Sequence, residues 1–123
     1  MLPDLHTQCY QNLMQALSQL SETVNGPNPD QATVRASTLE IQQLFQDQIL
    51  SLGMDELEPG MVSLVQSFQT ELHKQIRLLG NDVIFLVSAR QAETRERRWS
   101  EVRDRLKGCI GYCEAILSIP APN

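Results

Sequence analysis

Histidine and cysteine are scarce: 123 residues carry two histidines and three cysteines. Nucleophilic catalysis sets a Ser or Cys beside a base that a third group orients. Neither His6 nor His73 has that motif context, so both read as solvated or structural. Glycine-rich phosphate loops, paired metal-binding helix motifs and dinucleotide fingerprints are absent as well. The chain reads as a non-enzyme without a cofactor. Three cysteines cannot all pair within one chain, and they read as reduced thiols. Aromatic residues make up only 5%, so the core must be built from Leu, Ile and Val. No apolar run approaches the roughly 18 residues of a membrane span. Met1-Leu2-Pro3-Asp4 has no basic region and no signal-peptide core. A soluble cytoplasmic protein is the expectation.

Basic residues are nearly missing from the first half. Residues 1–70 hold eight acids and only Arg35, whereas residues 71–123 hold nine bases and seven acids. Five of those bases, Arg90, Arg95, Arg97, Arg98 and Arg103, fall within fourteen positions. The net charge of -5 argues against general nucleic-acid binding, which needs a basic footprint. A local basic patch facing an acidic partner is compatible with it.

What is present is helical periodicity. Met61, Leu64, Val65, Phe68, Leu72, Ile76, Leu79, Val83, Leu86 and Val87 follow one another by steps of 3, 4 or 1, the face of an amphipathic helix. The phase holds across Gly80, so the spacing predicts one helix from Pro59 to about Arg90. A turn at Gly80-Asn81-Asp82 would reset it. Gly within a helix costs only about 1 kcal/mol against Ala. The first helix is expected over Asp4–Val24, burying Leu5, Cys9, Leu13, Leu17, Leu20 and Val24, with Gly26 available for a left-handed cap. The second opens at Asn28-Pro29, with Gln31 in a capping box, and runs to a terminator at Gly53. It buries Val34, Ile41, Leu44, Phe45, Ile49 and Leu52. The fourth is capped by Thr94 and buries Trp99, Val102, Leu106, Ile110, Cys113 and Leu117.

Four helices with short connections predict an all-α, up-down-up-down four-helix bundle with a long third helix, over residues 1–119. A short proline-containing tail follows at 120–123. The third helix would be about 48 Å long and the first about 30 Å. The hairpin of the third and fourth helices is therefore expected to project past the others, carrying the arginines.

Three features invite a functional reading. His6 and Cys9 on the first helix and Cys109 and Cys113 on the fourth fall at similar height, a conceivable zinc site. Cys is equally at home as a small core hydrophobe, and the spacing is not that of a zinc knuckle. Gly108 and Gly111 suggest close approach to the first helix. Val83-Ile84-Phe85-Leu86-Val87 puts five apolar residues in a row, more than one helix face can bury. Beside the arginines, Ile84 and Phe85 have the composition of an interface: an apolar, aromatic centre and an arginine rim.

The segment Arg77-Leu78-Leu79-Gly80-Asn81-Asp82-Val83-Ile84-Phe85-Leu86, then Ser88-Ala89-Arg90-Gln91, resembles the PatD family, the cyanobacterial heterocyst frequency control proteins. So do Thr94-Arg95-Glu96-Arg97-Arg98-Trp99, Arg103-Asp104-Arg105-Leu106 and Tyr112-Cys113, with Tyr10-Gln11-Asn12-Leu13 less distinctive. The resemblance spans nearly the whole chain. It implies a small cytoplasmic helical regulator of heterocyst frequency in filamentous cyanobacteria, linked to the tubulin-like division protein FtsZ. It brings no catalytic motif.

The leading expectation is a regulatory binding protein whose hairpin docks a protein partner, FtsZ by resemblance. Ile84, Phe85 and Trp99 would anchor, and Arg90, Arg95, Arg97 and Arg98 would steer and pair. Two alternatives stand beside it: a metal- or redox-responsive bundle using His6, Cys9, Cys109 and Cys113, and a structural homodimer through the Phe85 patch. A monomer or weak homodimer is expected.

Overall fold

A computed structural model describes residues 2–119, and the tail expected at 120–123 lies outside the described residues. Four α-helices make up most of the described residues: α1 (Asp4–Asn25), α2 (Gln31–Leu44), α3 (Pro59–Ser88) and α4 (Ala92–Leu117). No strand occurs among the described residues. Each helix packs on the next, and α1 also packs on α4, closing an antiparallel bundle. Leu13, Leu17, Leu20, Ile41, Leu72, Leu79, Leu86, Leu106 and Ile116 fill its interior.

α3 is continuous through Gly80, as its phase predicts. Pro59 occupies the first turn, where its missing N–H costs nothing. Gly80 also serves packing: a Cβ there would run into the side-chain amide of Gln42 on α2. Two members of the stripe lie outside the core, since Leu64 and Val87 are exposed at the edges of the buried arc.

Helix ends differ from expectation. Gly26 is extended rather than left-handed, and Asn28 takes the left-handed conformation at φ 50°. An N-cap needs extended backbone, so Asn28 cannot cap α2. Asp30 does: its carboxylate accepts from Thr33 N at 3.1 Å and Thr33 Oγ1 at 2.7 Å. These bonds lower the Asp30 pKa, the Thr33 hydroxyl contributing most. α4 starts at Ala92 after Gln91, so Thr94 lies inside it and is no cap.

α2 passes into a π-helical turn, Phe45–Ile49, closed by Leu50 N donating to Phe45 O at 3.0 Å. Ile41, Phe45 and Ile49 are spaced by fours, and each such step overshoots an α-helical face by about 40°. The wider turn offsets the drift and keeps Phe45 and Ile49 buried. The helix therefore ends before Gly53, which is not its terminator.

The buried faces are rotated slightly at both ends of the chain. Leu5 is 58% exposed, whereas His6 and Tyr10 are buried in α1. On α4 Cys109 and Ile116 are fully buried, while Ile110 and Leu117 are only partly so. Gly108 and Gly111 are exposed, with open space where a methyl group would stand, so neither marks close approach to α1.

The α3–α4 hairpin does not project as expected. Val87 shares a groove with Gln31, Ala32 and Arg35 at the start of α2. Trp99 and Arg95 share a cleft with Val24, Asn25 and Gly26 at the end of α1. Both turns thus end at about the same level. The extra length of α3 lies at the other end: Gln69 Nε2 reaches Ile49 O at 3.5 Å, at the close of the π turn, leaving ten residues of α3 before it. The connector carries buried Leu57 and half-buried Leu52 and Met54 in that region.

Candidate partner-binding surface

The end of the bundle that bears the α3–α4 turn combines apolar exposure with basic charge. α3 runs to Ser88, and α4 begins after three further residues. Val83 and Leu86 are buried, which turns Ile84 and Phe85 outward, 62% and 50% exposed. Phe85 is not bare, because the Arg98 guanidinium sits over its ring, 4.8 Å from the centroid. That places a cation against the negative face of the ring.

The arginines divide into two groups. Arg98 Nη1 holds Glu101 Oε2 at 2.9 Å, and Arg103 Nη2 lies 3.7 Å from Glu96 Oε1. Arg105 Nε donates to Asp82 Oδ2 at 2.9 Å, and its Nη1 donates to Gln75 Oε1 at 2.9 Å. Arg105 thereby links α4 to α3 through a carboxylate that is nearly buried. Arg90, Arg95 and Arg97 form no ion pair among the described residues. The Arg95 guanidinium donates to the Arg90 carbonyl, at 3.3 Å. The free charge at this end is therefore Arg90, Arg95 and Arg97, and Arg98 is largely engaged.

Trp99 departs from the expectation of an anchor. It is 8% exposed, part of the core. It also lines a cleft of about 590 Å³ between the α1–α2 turn and α4, with Arg95, Glu96 and Arg103 around it.

Two features of this surface were not singled out by sequence reasoning. Leu39 on α2 is 59% exposed, and with Ala32, Ala36, Arg35 and Val87 it lines a second groove of about 480 Å³. A signal existed: Leu39 falls outside the periodicity of Val34, Ile41 and Phe45. The Asp82–Arg105 pair had only the hint of an acid embedded in the α3 stripe.

At the far end, the histidine and cysteines are core residues. His6 Nε2 donates to the Gly53 carbonyl at 3.0 Å, pinning the connector to α1, while Nδ1 is buried without a partner. Burial pushes the Cys109 and Cys113 thiols up to about 12 and raises Cys9. The Tyr10 phenol, buried and unpartnered, is raised by burial first and then by Cys113 and Cys9. Thiols held protonated are poor ligands and poor nucleophiles. Among the described residues no three His, Cys, Asp or Glu side chains gather to hold a metal. His73, exposed on α3, stacks on Phe45 with ring centroids 5.1 Å apart.

No helix among the described residues is long and apolar enough to cross a membrane. Compared with protein-family models, curated proteins and solved structures, the chain finds no match.

Proposed function

We propose that this is a non-enzymatic regulatory protein that binds an acidic surface of a protein partner through the α3–α4 end of the bundle. The observation that carries the reading is the adjacency of exposed Ile84 and Phe85 to Arg90, Arg95 and Arg97, which find no carboxylate among the described residues. An apolar centre with an unpaired arginine rim has the composition of a docking site. Arg98 braces Phe85. By its resemblance to the PatD family, the partner is FtsZ, and the consequence is modulation of FtsZ assembly and of heterocyst frequency.

The test is binding of purified FtsZ to wild type and to Arg95→Glu with Arg97→Glu. Neither side chain forms an ion pair among the described residues, and the one bond lost is that of Arg95 to the Arg90 carbonyl, so the variant should fold as wild type does. Affinity is expected to fall by roughly tenfold, chiefly in association rate, and wild-type binding should weaken as salt rises. Undiminished binding by the folded variant would remove the arginines from the site. No binding by wild type would remove FtsZ as the partner.

A further inference from the structure

The outward face of α2 carries a second apolar surface, which begins beside the arginine end and runs along α2. Ala32, Ala36, Leu39 and Gln43 are spaced 4-3-4 and all are exposed, opposite buried Val34, Thr38 and Ile41. That spacing is the seam of a heptad, with Ala36 and Gln43 at one core position and Ala32 and Leu39 at the other. Leu39, at 59% exposed, is large for a solvated helix face. Val87 on α3 continues the apolar surface along the groove it shares with Ala32, Ala36 and Leu39.

Two charges flank the seam. Arg35 lies on one side and Glu40 on the other, both exposed, and neither forms an ion pair among the described residues. Five positions apart, they point away from each other and cannot pair within one helix. Across two parallel helices in register, this is the spacing at which a charge on one chain meets the following opposite charge on the other. Arg35 is also the one base in residues 1–70, so the segment carries one half of each such pair next to the other half. An antiparallel arrangement would set each flank against its own kind, and the two charges would not meet.

We propose that this face is a self-association surface. α2 pairs with α2 of a second copy of the chain, parallel and in register about a twofold axis along the helices. Leu39 meets Leu39 of the second copy, Ala36 meets Ala36, and Arg35 of each copy reaches Glu40 of the other. The small alanines let the backbones approach, and Gln43 at a core position weakens the seam while favouring the in-register alignment. The contact is isologous and closes at two copies.

Sedimentation equilibrium of the full chain tests this. Wild type is expected to dimerise reversibly by roughly millimolar concentration, the weak range suited to a short seam. Leu39→Asp should be monomeric with an unchanged helical spectrum. Arg35→Glu should weaken dimerisation about fivefold or more, and Arg35→Glu with Glu40→Arg should restore it to within about twofold. Ala36→Cys should give an intermolecular disulfide on mild oxidation, because the native thiols are buried and an in-register parallel pair brings position 36 against itself. A monomeric wild type, a dimer undiminished by Leu39→Asp, or a double swap no tighter than Arg35→Glu alone would overturn the proposal.

Discussion

Cys109 and Cys113 sit wholly inside the bundle on α4, and Tyr10 is buried on α1 close enough to Cys113 to feel its charge. Their titration couples folding to alkaline pH. The thiols ionise at an ordinary value of 9.0 when exposed, but only near 12 when buried. Below pH 9 both states hold these protons, and stability does not depend on them. Above it the unfolded chain releases protons that the folded chain retains, so stability falls as pH rises toward about 12. We expect urea midpoints to decline steadily over that window. Cys109→Ala with Cys113→Ala should be less stable at neutral pH yet decline less steeply. Residue identity was legible only in part. Five apolar residues at 83–87 announced that some must face solvent, and Ile84 and Phe85 do. Which arginines are free was not legible, because Arg105 finds Asp82 across 23 positions of sequence. Trp99 was expected both on the buried face of α4 and as an anchor, and its burial agrees with the first.

At the scale of elements, long-range phase proved informative and short signals less so. The stripe from Met61 to Leu86 located α3 and carried it across Gly80, because one apolar arc must face one interior. Caps were misplaced where they depended on backbone angles that sequence does not display. Asn28 and Asp30 are both good capping residues, and the left-handed φ of Asn28 decides between them. The π turn was hidden because spacings of four are ordinary in α-helices. Gly80 offers a direct test of the α2–α3 contact. The atom in the way of a methyl group is the end of the flexible Gln42 side chain, which is otherwise free to swing outward. Gly80→Ala should therefore raise stability by up to about 1 kcal/mol in thermal or urea unfolding, the helix-propensity gain. Gly80→Val, which adds bulk at the same contact, should lower it.

For the whole molecule, the architecture followed from four periodic segments and short turns, since such segments have few ways to bury their faces together. The relative heights of the helices did not, because the connector at Ser51–Glu58 takes up the length that was expected to overhang at the hairpin. The sites at the two faces inherit this: the hairpin is an end surface level with its neighbours, not an arm. The closing contact between α1 and α4 has one more consequence, in the order of folding. α3 and α4 meet across a three-residue turn, whereas α1 must find α4 from the opposite end of the chain. Loop-closure entropy favours the local hairpin as the nucleus and leaves docking of α1 for after the barrier. Leu79→Ala and Leu13→Ala each empty a fully buried site and should each cost about 2–5 kcal/mol. Their chevrons should differ: Leu79→Ala mainly slows refolding, and Leu13→Ala mainly speeds unfolding. The lifetime of the native state would then be set by how tightly α1 stays seated, and its rate of formation by a hairpin that α1 does not touch until late.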